Sequence, residues 1–311
     1  MFKRNKSIPE ELKLNKKDYE QTGLYEISNC GKSDRSADVI FVHGLMGHPI
    51  TTWHRDEQCN KDCWLYWLGN EAECSEVGIW SFGYQAEFSK WKGSSMPLPF
   101  RANSFLDILE SNNIGKRPII FITHSLGGLL VKDMLRTADT YRRDPKKQAI
   151  FAQTKGIVFL GTPHTGSDMA KWVAQLIGAL GLLGSAIARQ TPSPGELRSH
   201  DPYLLQLNDW YREFVSNLQI PTKFYRHTQS VKGSFEVVDP ASANPGISGV
   251  SPVDVDADHI SIAKPKTPKD QPVYRSVKTF IQDCLSTPLQ LPLSHLEQVK
   301  KEEWDRIANP Q

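Results

Sequence analysis

Cysteine is scarce in this sequence, and the cysteines that are present show no pairing pattern. There are five, an odd number, without a C-x-x-C pair or the spacing of metal ligands. A zinc site formed by Cys59, Cys63 and His54 can be considered, but we do not expect it. Cysteine usage of this kind is typical of a reducing compartment, so the sequence predicts neither a disulfide framework nor a metal site.

An excess of charge of one sign and a secretory leader are also lacking. Lys and Arg number 37 against 35 Asp and Glu, a net charge of +2, and no long one-sign block occurs apart from a mildly basic N-terminus. This balance does not predict a nucleic-acid-binding surface. Residues 1–20 have no apolar core behind their basic residues, so they do not predict a signal peptide, and we expect a cytoplasmic protein.

Long apolar runs are nearly absent, and the most apolar segment spans residues 172–188. With 17 residues and several glycines and serines, it lies at the short limit for crossing a bilayer and is a weak isolated helix. We expect it to form a cap or lid over a pocket, which would imply an apolar substrate or peripheral contact with a membrane surface. A helix packed in the core with no substrate role is the alternative.

The length and the order of apolar segments predict one α/β domain. A chain of 311 residues with 39% hydrophobic content can bury a sizeable core. Short β-branched and aromatic segments alternate with segments of helical spacing, which is typical of a mostly parallel sheet flanked by helices. We expect a surface tail over 1–36, the α/β domain over 37–285 with a helical cap at about 167–216, and a tail or linker over 286–311.

The sequence RPIIFITHSLGGLLV, residues 117–131, has the features of a nucleophile elbow. A buried strand over 119–122 runs directly into a segment of helical spacing that begins at Leu126, and Ser125 lies at the turn between them. Gly127 and Gly128 supply the small neighbours that such a turn needs. Thr123 departs from the G-x-S-x-G pattern, because its branched side chain stands where the first glycine is usual.

Two glycine-rich loops predict the surroundings of Ser125. The strand over 39–42 ends at His43 and Gly44, and the loop that follows would direct the Leu45 N–H at an oxyanion, with the Leu126 N–H as the second donor. A later strand ends in GTPHTG, which would bring Thr162 and His164 near the same edge of the sheet. We expect the substrate pocket to be lined by these loops and the elbow. The residues predicted to line it are His43, Gly44, His124, Thr162 and His164.

The catalytic base and acid are expected later in the chain. His259 lies in an acidic loop just before the last amphipathic helix, which is the usual place of the base in a serine hydrolase of this kind. His164 is a competing candidate, but it follows the serine too soon for the chain order of serine, acid and histidine. The acid should lie between the two, with Asp239 as the first choice and Glu236 as the alternative.

Six segments, taken together, resemble those of the α/β-hydrolase superfamily. They are FVHGLMGHP, FGY, THSLGG, FLGTPHTGS, VVDPASA and DADHISI. The resemblance covers roughly residues 37–285 and is to its serine-active-site, lipase-like branch, which is similar to the GPI inositol-deacylase and PGAP-type lipases. It implies Ser125 as nucleophile, His259 as base, and Leu45 and Leu126 as oxyanion donors. The chain departs from the family where a Glu is frequent, since Arg226 and His227 stand there.

These observations predict a serine esterase that cleaves carboxylic esters, resembling a lipase or phospholipase, through an acyl-enzyme and without a cofactor. Its partner would be an acyl-ester or lipid substrate. Two alternatives remain open. The chain could be a catalytically silent scaffold that binds a partner through its cap, or an effector module regulated by downstream domains of a larger protein.

Overall fold

A computed structural model describes residues 19, 22–56, 62–86, 98–164, 202–231, 244–268 and 272–286. Seven strands in this part of the chain form one sheet in the order β1-β3-β2-β4-β5-β6-β7. The strands are β1 (Gly23–Ser28), β2 (Ala37–Val42), β3 (Val77–Gly83), β4 (Ile119–His124), β5 (Thr154–Leu160), β6 (Thr222–His227) and β7 (Val253–Val255). All neighbouring pairs are parallel except β1 with β3.

Helices pack on both faces of this sheet. They are α1 (Trp64–Asn70), α2 (Leu98–Ser111), α3 (Leu126–Thr140), α4 (Pro145–Ala152), α5 (Pro202–Asn217) and α6 (Pro272–Ser286). One core lies under α2, α3, α4 and α5, and the second lies under α1 and α6. The central strands β2 and β4 are buried along their whole length, because both of their faces are covered. The predicted α/β architecture is therefore confirmed.

Two segments differ from the expectation based on sequence. Residues 23–28, predicted to belong to a surface tail, form the antiparallel edge strand β1. The charged segment after α3, whose composition is typical of a surface turn, contains the short helix α4. Asp144 caps that helix by accepting hydrogen bonds from the backbone N–H groups of Lys146 and Lys147, and Pro145 occupies its first turn.

The aromatic residues over 51–74 are part of the core. Trp53 and Trp64 are fully buried and pack edge-to-face on Phe41 of β2. The segment 172–188 and most of the predicted cap lie outside the described residues. In the part of the chain that is described, none of the helices combines the length and apolar character needed to cross a bilayer.

Candidate active site

Ser125 lies at the turn between β4 and α3, in a backbone conformation that side chains rarely adopt. Its φ is 57° and its ψ is −129°. Hydrogen bonds hold this conformation. The Ser125 N–H donates to Leu160 O at 2.9 Å, and Ser125 O accepts from Gly128 N at 3.1 Å and from Thr162 Oγ1 at 2.9 Å. A strained backbone conformation that several hydrogen bonds hold in place is typical of a functional turn.

Glycines allow the surrounding backbone to approach the turn. A Cβ at Gly44 would lie 2.5 Å from Ser125 Cβ and 2.8 Å from Ser125 Oγ. A Cβ at Gly127 would meet the carbonyl oxygens at the end of β2, and one at Gly128 would lie 2.7 Å from Phe159 Cδ1. These three positions therefore require glycine because of close approach.

Thr123 is accommodated inside β4. It pairs with Val42 on one side and Phe159 on the other, and its Oγ1 donates to Val158 O at 2.9 Å. A β-branched residue suits a strand position, and its hydroxyl has an acceptor. The departure from the glycine pattern therefore does not disrupt the turn.

The loop after β7 brings His259 to Ser125. His259 Nε2 lies 3.1 Å from Ser125 Oγ, across 134 positions of sequence, and the ring is buried. His124 Nε2 donates to His259 O at 2.8 Å, so the residue before the serine also holds the backbone of the histidine. The Trp64 Nε1–H donates to Ala263 O at 3.0 Å, which ties the same loop to the core.

Asp258 holds this loop as well. Its Oδ1 accepts from Ile260 N at 2.8 Å and from Ser261 N at 2.7 Å, and its own N–H donates to Ser261 Oγ at 2.9 Å. The carboxylate next to His259 in sequence is thus used to form a tight turn. This role was not predicted from the sequence. An Asp is favoured at the start of such a turn, because its side chain can accept from the backbone N–H two residues later.

Burial keeps the histidine in its neutral form. Desolvation holds the pKa of His259 well below its usual value of 6.5, and the neighbouring His124 and His227 lower it further. Burial likewise lowers the pKa of His124 to about 4. A neutral imidazole within hydrogen-bond distance of a serine hydroxyl is able to accept its proton.

The two residues predicted to supply oxyanion N–H groups, Leu126 and Leu45, are each next in sequence to a residue of the turn or to a residue packed on it. Leu126 is the first residue of the 15-residue helix α3, where a backbone N–H has no intrahelical acceptor and the helix dipole is positive. Leu45 follows Gly44, whose backbone lies against Ser125. The loop after β2 is held in place because Met46 N donates to Ala86 O at 2.9 Å and Gly47 N donates to Gly44 O at 3.0 Å.

A cavity of about 180 Å³ opens beside the Ser125–His259 pair. Its lining comprises residues 45–47, 51–52, 124, 259–260 and 264. Of the residues predicted to line a pocket, His124 does so. The other four, His43, Gly44, Thr162 and His164, lie outside this lining: His43 is buried behind the loop, Gly44 packs on Ser125 and Thr162 hydrogen-bonds to Ser125 O.

His164 has a different partner from the serine. Its Nδ1 accepts from Lys132 Nζ at 2.8 Å, and the same Nζ donates to Asn208 Oδ1 at 2.8 Å. Lys132 lies on α3 and is fully buried, a residue that sequence reasoning did not single out. His164 therefore contacts helix α3 through Lys132, and its ring is not the one that lies beside the Ser125 hydroxyl.

The candidate acids Asp239 and Glu236 lie outside the described residues. The side of His259 on which an acid would act is bordered by Gly161, where a Cβ would lie 3.2 Å from His259 Nδ1. The His227 ring packs edge-to-face on His259 with a centroid distance of 5.3 Å.

Solved structures share this architecture. Phospholipase PlaB from Legionella pneumophila aligns with a TM-score of 0.54 and 14% identity, over 86% of this chain and 63% of that one. A carboxylesterase of the thaumarchaeon Nitrososphaera gargenis aligns with a TM-score of 0.50 and 12% identity, over 85% of this chain and 95% of that one. This chain has the α/β-hydrolase fold. At such low identity the likeness of these α/β-hydrolases establishes the fold alone.

Curated relatives are closer in sequence. The chain is 33% identical over 294 residues to protein SERAC1 of Mus musculus, and 33% identical over 295 residues to that of Homo sapiens. These alignments cover 87% of this chain and 42% of each relative, so the chain spans about two fifths of their length. No protein-family model matches this chain.

Proposed function

We propose that this α/β-hydrolase is a serine esterase that cleaves carboxylic esters, resembling a lipase or phospholipase, through an acyl-enzyme. The observation that carries the proposal is the 3.1 Å separation of His259 Nε2 from Ser125 Oγ at a serine with positive φ. The hydroxyl is buried at this strained turn, and a neutral imidazole beside it is the arrangement of an activated nucleophile.

In the proposed first step, Ser125 Oγ attacks the ester carbonyl carbon while His259 Nε2 takes the hydroxyl proton. The carbonyl oxygen becomes a tetrahedral oxyanion, which the N–H groups of Leu45 and Leu126 stabilise. Collapse breaks the bond to the alcohol, which leaves with the proton from His259. In the second step, water adds to the acyl-enzyme by the same route and releases the acid.

Asp239 is the proposed partner of His259 Nδ1, with Glu236 as the alternative. A carboxylate there would hold the imidazole in the tautomer that accepts at Nε2 and stabilise the imidazolium that forms. Asp258 is not proposed for this role, because its Oδ1 already accepts two backbone N–H groups.

The lipid part of the proposal has support of its own. Its support is the name of the solved neighbour PlaB, a phospholipase, together with the apolar segment 172–188 that we propose as a cap contacting the acyl chain. Rates on p-nitrophenyl esters from acetate to palmitate test this point. A lipase-like enzyme should prefer the longer chains, whereas a monotonic fall with chain length would leave a small-ester hydrolase.

Replacing Ser125 by Ala tests the central step. Hydrolysis of p-nitrophenyl butyrate should fall by at least about 10⁴-fold, because the nucleophile is lost. The matched control is Ser111→Ala, at an exposed serine near the end of α2, which should keep full activity. Both variants should show an unchanged circular dichroism spectrum, and a fully active Ser125→Ala variant would contradict the proposal.

A further inference from the structure

The carbonyl of Gly44 is held from two sides. Gly44 O accepts from Gly47 N at 3.0 Å and from the ring of His43, whose Nδ1 lies 2.9 Å away. A carbonyl oxygen can only accept, so the His43 Nδ1 must carry the proton and donate it.

The other nitrogen of His43 is consistent with this tautomer. The Tyr84 N–H donates to His43 Nε2 at 3.4 Å, so Nε2 acts as an acceptor. The Tyr84 ring stacks on the imidazole at a centroid distance of 4.5 Å and an interplanar angle of 10°, and the Tyr84 hydroxyl donates to His43 O at 2.8 Å. Complete burial lowers the pKa of His43 to about 3, so the ring stays neutral.

The direction of the Leu45 N–H follows from that of Gly44 O. The two groups belong to one peptide unit, and the peptide bonds of the described chain are trans. In a planar trans peptide the N–H points opposite to the C=O. Two donors that fix Gly44 O on the His43 side therefore turn the Leu45 N–H to the opposite side.

The reacting groups adjoin the same peptide unit. Gly44 lies against Ser125, and Leu45 lines the cavity together with His259. An oxyanion hole works because its donors are aligned before the reaction, and removing one donor typically costs about 10²–10³ in kcat. A small rotation of the 44–45 peptide would misalign the donor without removing it.

We infer that His43 is a positioning residue: its Nδ1–H, by bonding to Gly44 O, orients the Leu45 N–H toward the oxyanion. This inference rests on the proposed function, since it concerns the transition state of that reaction. It assigns His43 a role behind the loop rather than contact with substrate.

Two substitutions separate the hydrogen bond from the bulk of the ring. In His43→Asn the side-chain amide places a donor near the position of Nδ1, whereas in His43→Gln the longer amide reaches the position of Nε2 instead. We expect His43→Gln to lower kcat on p-nitrophenyl butyrate by about 10- to 100-fold with KM changed less than twofold. His43→Asn should restore most of this loss.

A second readout reports the oxyanion hole directly. A trifluoromethyl ketone adds to the serine as a hemiketal anion, so its inhibition constant should rise in His43→Gln by about the same factor as kcat falls. Equal kcat in the two variants, or a loss that appears only in KM, would overturn the inference. A wild-type protein without Ser125-dependent hydrolysis would instead reject the proposed function, and the inference with it.

If His43→Gln fails to fold, Tyr84→Phe tests the same point. It keeps the stacked ring and removes the hydroxyl bond to His43 O, which should loosen the main chain that carries the donor. We expect kcat to fall by about threefold or more with unchanged KM. Wild-type kcat in Tyr84→Phe, together with wild-type inhibition by the ketone, would overturn the inference.

Discussion

Ser125 has a backbone conformation that glycine would adopt more easily. Its φ of 57° and ψ of −129° lie outside the regions that L-residues favour, and such a conformation costs of order 1–3 kcal/mol. The hydrogen bonds of its N–H and C=O groups maintain it. Stability is thus lost locally at the residue whose hydroxyl lies beside the His259 imidazole.

This strain predicts an unusual order of stability. Ser125→Gly and Ser125→Ala both lose the contact with His259, but only glycine relieves the backbone, so Ser125→Gly should be the more stable by about 1 kcal/mol. At Ser104, in the interior of helix α2, the order should reverse, because glycine weakens a helix. Urea unfolding of the four variants measures both differences. A Ser125→Ala variant more stable than Ser125→Gly would show that the turn is not strained.

At the same scale, the sequence predicts which residues belong to the site better than it predicts which side chains those residues contact. Ser125 could be placed at a turn because a buried strand and a helical pattern meet there. His164 was harder, because its partner Lys132 lies 32 positions earlier on a helix face that reads as apolar core. Contacts of this kind depend on how the helix is rotated against the sheet, which spacing alone does not determine.

At the scale of elements, helix α3 packs unusually close to the end of β2. A Cβ at Gly127 would meet Val42 O and would lie 2.5 Å from His43 O. Both are backbone atoms in a buried, parallel strand region, so neither can move without shifting the strand. The same approach brings the start of the helix beside the residues that lead into the loop of Leu45.

The packing predicts a large penalty for one methyl group. Gly127→Ala should destabilise the protein by about 3 kcal/mol, since overpacking against backbone cannot relax through a side chain. Gly31→Ala is the matched control, because a Cβ there has nothing within 4 Å, and it should change the free energy of unfolding by less than about 0.5 kcal/mol. Thermal unfolding gives the comparison. Equal melting temperatures would contradict the close approach of α3.

Element prediction from the sequence succeeded where the pattern was long and failed where it was short. The helices α3 and α6 carry apolar residues at helical spacing and were predicted. Strand β7 has three residues and was not, and β1 was hidden because its residues are only half-buried at the sheet edge. In both cases sheet pairing, rather than local sequence, stabilises the strand.

At the scale of the whole molecule, the sheet order assembles the site from distant segments. The loops that follow β2, β4 and β5 all leave the carboxyl edge of neighbouring parallel strands, and the loop after β7 returns His259 to the same edge. Ligand sites of open α/β sheets form at this edge. The sequence predicts the alternation of elements, but the strand order and the direction of the His259 ring arise only from long-range pairing.

The most direct test of the account is covalent labelling of Ser125 by a fluorophosphonate, followed by peptide mapping and measured against pH. The account predicts one adduct, on Ser125, with a rate that falls by about 10²–10⁴-fold in His259→Ala. Because burial holds the pKa of His259 below 6.5, protonation should slow labelling only below that pH, and the rate should stay level above it. Folded protein that forms no adduct at Ser125, or labels equally fast in His259→Ala, would contradict the account.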